Sequence, residues 1–313
     1  MPESGNWERD VLEKLVLATI KEQRRARQWS IFFRLLLFAF LFIVLFGAMG
    51  WLGTGIPVGR HTALVNLDGE IGADQVSANR IIKGLDDAFK DKNTKGVILA
   101  IDSPGGSPVQ AGYINDEIWR LRQKYPKIPI YTVAEDLCAS GGYYVAAATD
   151  RIYVNKATLI GSIGVLMDGF GFTGLMNKLG IERRLLIAGK NKGFLDPFSP
   201  EDPTQVAYAK TMLQDIHQQF IQAVRKGRGN RLKETPELFS GLIWTGDQSI
   251  ALGLADGYGS VQSVARDVIK APTVVDYTPQ GNFVNRFAKH FGAALVNDLL
   301  PLARAGLRVR EGP

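Results

Sequence analysis

Histidine is scarce in this chain, with three in 313 residues: His61, His217 and His290. None has the local setting of a triad base, so any serine nucleophile here needs another base. Cysteine is scarcer still. Cys138 is the single one, which excludes an intramolecular disulfide and a metal site built from several cysteines. Basic stripes interleaved with stacking aromatics are missing, and no nucleic-acid partner is expected. Internal repeats and low-complexity linkers are missing too. The formal charge of +6 is modest, and basic residues gather near the ends, at Lys21–Arg34 and Arg304–Arg310.

One long hydrophobic run is present. Leu35–Leu52 is apolar apart from glycines, and with Ser30–Phe33 it reaches the roughly 20 residues that span a hydrocarbon core. Arg34 can snorkel to the headgroups and Trp51 suits the far interface. A buried core helix and a cleaved signal peptide are the alternatives. A long polar segment precedes the run and no Ala-x-Ala site follows it, which favours an uncleaved signal anchor over residues 31–53. The positive-inside rule keeps the Lys21–Arg34 cluster in the cytoplasm and puts everything after residue 53 outside. Residues 1–30 then form a cytoplasmic segment, with Met1–Trp29 as a short amphipathic helix. Residues 54–280 are left as the main soluble domain. Residues 281–313 form a carboxyl-terminal amphipathic segment, in which basic Phe283–Arg308 is a docking helix, an oligomer contact or a membrane-surface helix.

Within the soluble domain, β-rich runs stand at Thr62–Leu67, Gly96–Ile101, Ile128–Val133, Arg151–Val154 and Arg184–Ile187. Such unbroken apolar strands suit a sheet buried on both faces. Helical patterns alternate with them at Val76–Phe89, Val109–Lys124, Gly141–Ala148 and Pro203–Lys226, the last capped by Asp202 or Ser199. Strand–helix alternation predicts an α/β domain.

Two turns at strand ends carry the chemistry. Asp102-Ser103-Pro104-Gly105-Gly106 follows the Gly96–Ile101 strand, and its glycines permit backbone conformations that aim amides into a crevice, as an oxyanion hole requires. An ordinary turn, with Asp102 and Ser103 stabilising it, is the plain alternative. Ala139-Ser140-Gly141-Gly142-Tyr143-Tyr144 opens a helix after the next strand. Ser140 is either an N-cap or a nucleophile beside free amides. With no histidine placed for it, lysine is the candidate base. An ordinary lysine, of pKa about 10.4, is almost wholly protonated at neutral pH, and apolar burial is what frees its amine. Lys192 follows the hydrophobic stretch Leu185–Gly189, and Lys190 competes with it on spacing alone. Ser162, in Gly161-Ser162-Ile163-Gly164-Val165, is either a hydroxyl that orients a neutral amine or a structural one. Gly169-Phe170-Gly171-Phe172-Thr173-Gly174 has the spacing of a dinucleotide loop but lacks the acidic residue at the end of the next strand. No metal or cofactor is expected.

Taken together, the motifs resemble signal peptide peptidase A, the bacterial Ser-Lys peptidase family. Asp102–Gly106, Ala139–Tyr144, Gly161–Val165 and Gly189-x-x-Lys192 carry the likeness. Trp244-Thr245-Gly246-Asp247 and Ala251–Asp256 extend it, so that it covers roughly residues 62 to 270. The resemblance implies a Clp-protease/crotonase-like fold with repeated ββα units. It implies Ser140 as nucleophile, Lys192 as general base, Gly106 or Gly105 with Gly141 as oxyanion amides, and Ser162 as the hydroxyl that holds the lysine. It implies a homo-oligomeric, membrane-anchored ring whose adjacent subunits complete each site. Asp196-Pro197-Phe198-Ser199-Pro200 is closer to the Gram-negative pattern, which implies an inner-membrane protein with a periplasmic catalytic domain. The expected activity is endopeptidase cleavage of remnant signal peptides and other unfolded apolar segments. An acyl-CoA enzyme of the crotonase type and a non-catalytic scaffold are the rivals.

Overall fold

The computed structural model describes residues 5–48, 59–72 and 76–279; the expected anchor end at 49–53, the Phe283–Arg308 segment and His290 lie outside them. The chain divides into two compact units, one holding the amino-terminal helix and the other residues 58–279. The first described element, α1 (Gly5–Ala48), is a single helix of 44 residues. It joins the expected cytoplasmic helix and the apolar run without a break. Within it Ile20–Leu45 is long and apolar enough to cross a membrane. At 1.5 Å per residue this stretch measures about 39 Å, longer than a hydrocarbon core of roughly 30 Å.

The second unit runs β1 (His61–Asp68), α2 (Ala78–Lys90), β2 (Thr94–Ser103), α3 (Pro108–Lys124), β3 (Ile130–Ala139), α4 (Gly141–Ala146), β4 (Arg151–Val154) and β5 (Leu159–Gly161). It continues through α5 (Thr173–Leu179), α6 (Pro203–Arg228), β6 (Ile243–Thr245), α7 (Gly246–Ala251), β7 (Gly257–Tyr258) and β8 (Val274–Asp276). This is the α/β class expected. The sheet runs β6-β5-β3-β2-β1-β8, and β3 divides its far edge between two partners. Tyr131–Val133 pairs with β4 and Leu137–Ala139 with β5. All pairings are parallel except β5 with β6.

β2 shows why the sheet is central. Val97, Leu99 and Ile101 point to one face and join the main core, while Ile98 and Ala100 point to the other. Alternate side chains point to opposite faces of a strand, so a run apolar at every position needs cover on both. α2 and α3 supply it on the main-core side. Ile81, Leu85 and Ala88 of α2, with Ile114, Ile118 and Leu121 of α3, recur at helical spacing and are all fully buried. Burying each large aliphatic side chain stabilises the fold by about 1.5–3 kcal/mol.

The expected strand at Arg184–Ile187 does not form. Residues 181–187 have no regular structure, and Leu186 is 95% exposed. A β-prone run becomes a strand only against a neighbour that takes its amides and side chains, and no described strand pairs with it. The Gly169–Gly174 pattern is likewise in an exposed loop entering α5, with no strand before it. The Gly161–Val165 stretch is a strand only as far as Gly161.

Candidate active site

The site forms at the carboxyl ends of β2, β3 and β5. β3 ends at Ala139 and α4 starts at Gly141, so the chain turns from strand to helix within Ser140. That turn forces Ser140 to φ +50°, ψ −122°, a conformation costing an L-residue about 1–3 kcal/mol. The plain N-cap role is not what Ser140 performs: its side chain makes no capping hydrogen bond to α4. Its backbone is held instead, the N–H donating to Gly161 O at 2.8 Å and the carbonyl accepting from Tyr144 N–H at 2.9 Å.

The Asp102–Gly106 turn packs directly on this elbow. A methyl group on Gly105 would come within 2.6 Å of the Ser140 β-carbon, and one on Gly106 within 2.2 Å of Ile71 O. Both have positive φ, +106° and +132°, so only glycine fits at either position. Asp102 and Ser103 stabilise the turn. The Asp102 carboxylate accepts from Leu137 N–H at 3.1 Å, and buried Ser103 donates from Oγ to Gly69 O at 2.7 Å. Ser103 Oγ also accepts the Gly105 amide at 3.1 Å, which commits that amide. Among the described residues, no intramolecular acceptor takes the Gly106 or Gly141 amide.

A cleft of about 570 Å³ opens over these groups. Ser140, Gly106, Gly141 and Ser162 line it. Ser162 enters through a second strained turn, at φ +49° beside Gly161 at +108°. The remaining wall is mainly apolar, from Ala111, Tyr144, Val165, Leu166, Ile216 and Phe220. Tyr144 and Phe220 pack with ring centroids 5.1 Å apart. Val165 belongs to the Gly161–Val165 motif. Tyr144 stood inside the Ala139–Tyr144 motif and Phe220 on the apolar face of α6, but Ser240 and Gly241 reach the cleft from a loop without any sequence signal.

Lys192 is not among the residues lining the cleft. Lys190 and Lys192 are both exposed, in a run of tight turns after Gly189. This loop is anchored by Asp196, which pairs with Arg183 and accepts from Ser199 Oγ at 2.5 Å. Large apolar side chains before it, Leu166, Phe170 and Leu186 among them, are also exposed.

The other nucleophile and base candidates are engaged elsewhere. Cys138 is fully buried, and burial, then Asp102, pushes its thiol far above its ordinary value. His61 contacts Gly59 O and the Tyr277 hydroxyl at 2.9 and 3.0 Å, and His217 donates to Ile163 O at 3.0 Å. Among the described residues no His, Cys, Asp and Glu group is arranged to hold a metal ion.

The late motif is structural. Thr245 caps α7 in a capping box with Gln248. Asp256 accepts from the nearly inaccessible Arg228 at 2.7 Å, from Arg231 at 3.1 Å and from Ile152 N–H at 2.8 Å. Burial works to raise its pKa, but the hydrogen bond and charge of Arg228 outweigh it and hold the carboxyl below its ordinary value.

The chain, an α/β protein with a cleft at the ends of its central strands, matches the family model for peptidase family S49 over residues 122–274. It is similar to a putative protease of Methanocaldococcus jannaschii, 31% identical over 220 residues, covering 69% of this chain and 70% of that one. It is also similar to a putative signal peptide peptidase SppA of Enterococcus faecium, 30% identical over 205 residues, 66% of this chain and 59% of that one. A Brucella abortus protein named as the Na(+)/H(+) antiporter NhaA is 40% identical over 213 residues, 68% of this chain, but those residues span only 29% of that protein. The chain belongs to peptidase family S49, a family of serine peptidases.

Proposed function

We propose that this protein is a membrane-anchored serine endopeptidase, with Ser140 as nucleophile and Lys192 as general base. Remnant signal peptides and other unfolded apolar segments are its substrates. The observation that carries the reading is the strained Ser140 elbow, set in an apolar cleft beside two backbone amides without acceptors.

In this mechanism Ser140 Oγ attacks the scissile carbonyl while its proton passes to the neutral lysine amine. The oxyanion of the tetrahedral intermediate accepts from the Gly106 and Gly141 amides. Gly105 is excluded from that task because Ser103 already takes its N–H. The lysine ammonium protonates the departing amine, leaving an acyl-enzyme. Water, deprotonated by the same lysine, then hydrolyses the ester. Ser162 is assigned to accept from or donate to the amine and hold it.

Lys192 is exposed and outside the cleft of its own chain, and exposed apolar side chains precede it. Both facts favour a homo-oligomeric ring in which a neighbour's Lys192 enters each cleft and is desolvated there. The apolar stretch Ile20–Leu45 supports a single-pass anchor, and the basic cluster at its start supports a catalytic domain on the periplasmic side of the inner membrane.

The test is peptide cleavage by the full chain in detergent micelles. Ser140→Ala and Lys192→Ala should each reduce turnover of an unfolded signal-peptide mimic by roughly 10³-fold or more. Retention of turnover in both variants would remove the reading.

A further inference from the structure

We propose that His217 is a positioning residue for this peptidase, fastening the Ser162 turn to α6 so that Ser140 and Ser162 keep their places in the cleft. The inference rests on the peptidase reading and adds to it a residue outside the resemblance. Its basis is a short chain of contacts. The Ser140 N–H donates to Gly161 O at 2.8 Å, so the nucleophile's backbone hangs on the residue before Ser162. Ser162 itself is strained at φ +49°. A non-glycine residue keeps such a conformation only where its surroundings over-determine it. Three further bonds do so. Ser162 N–H donates to Leu242 O at 2.8 Å, Gly164 N–H to Ser162 O at 2.9 Å, and His217 Nε2 to Ile163 O at 3.0 Å.

Among the described residues, His217 is the one side chain that hydrogen-bonds the backbone of Gly161–Gly164. A carbonyl only accepts, so the proton is on Nε2. The ring comes from α6, whose Ile216, Gln219 and Phe220 form the facing wall of the cleft. His217 therefore ties that wall to the strained turn, and the turn to Ser140. Its nitrogen is committed to a carbonyl and it does not line the cleft, so it acts through the turn and not on substrate.

The experiment compares the full chain in detergent micelles with His217→Leu and His217→Gln. It reads amide hydrogen exchange over residues 159–166, acylation of Ser140 by a fluorophosphonate, and turnover of an unfolded peptide. His217→Leu should speed exchange at Ser162 and Gly164, slow acylation roughly tenfold, and lower kcat with KM held. His217→Gln, which offers an amide donor at similar reach, should recover most of both signals. Unchanged exchange and acylation in His217→Leu overturn the proposal. Equal losses in both variants with a lowered Tm also overturn it, because the ring would then be only a packing element. If wild-type Ser140 is not acylated at all, the peptidase reading fails instead, and exchange at Ser162 still decides whether His217 holds the turn.

Discussion

At Ser140 the backbone strain and the lack of a cap hydrogen bond point the same way. A serine kept for capping would bond the α4 amides in a relaxed conformation, whereas this one stands at φ +50° with no such bond. Replacing it with glycine relieves the strain while removing the hydroxyl. Ser140→Gly should therefore be inactive yet more stable by about 1 kcal/mol, raising Tm by roughly 2–4 °C in calorimetry. A Tm below wild type would show that the conformation carries no strain. Gly106 is the opposite case. Gly106→Ala places a methyl 2.2 Å from Ile71 O, so the turn must move. It should lose about 2 kcal/mol or more of stability by denaturant unfolding, together with peptide turnover. The serine motif was legible at this scale because it is local in the chain. Which of the Gly105 and Gly106 amides finds an intramolecular acceptor was not, since it depends on where Ser103 Oγ points.

Among the elements, β2 and α3 are where local pattern and tertiary environment agree. A continuous apolar strand and a helix with apolar residues at 3–4 spacing found the cover that their patterns require. Arg184–Ile187 has strand-like residues and no partner strand, so propensity alone misplaced it. Short β6, β7 and β8, of two or three residues each, have too few positions to show a period. The junction of α6 with the loop ending at Asp256 depends on a buried ion pair. Asp256→Ala leaves Arg228, 1% exposed, without its carboxylate and should cost about 3 kcal/mol, a Tm drop of roughly 6–12 °C. The pH dependence follows from the lowered carboxyl pKa. Its contribution is complete above the ordinary aspartate value of 3.8 and is lost as pH falls through the lower folded value. Urea melts of wild type and Asp256→Asn should differ fully at pH 7 and converge in acid below that value. A gap that widened in acid would reverse the sign assigned here.

For the whole molecule, one chain supplies a cleft and an exposed lysine that do not meet. A ring in which each subunit lends its lysine predicts intermolecular rescue. Ser140→Ala and Lys192→Ala subunits, each inactive, should recover roughly a quarter of wild-type turnover when co-assembled at equal ratio, because random neighbours pair an intact serine with an intact lysine at that frequency. No recovery in verified mixed assemblies would place both residues in the same subunit. Such an arrangement would not be legible in the chain's own spacing, since contacts between copies leave no periodic trace along one of them.

Residue order was enough for the α/β class, the long apolar helix, the glycine turn and the serine at a helix start. Each is encoded within a few neighbouring positions, where period, propensity and backbone freedom act directly. Tertiary contact decided the rest. It spent the Gly105 amide on Ser103, left Gly106 and Gly141 facing the cleft, set Ser162 in a strained turn beneath His217, and kept Lys192 outside. Those outcomes depend on which atoms meet after distant strands pair, and one-dimensional spacing does not specify that.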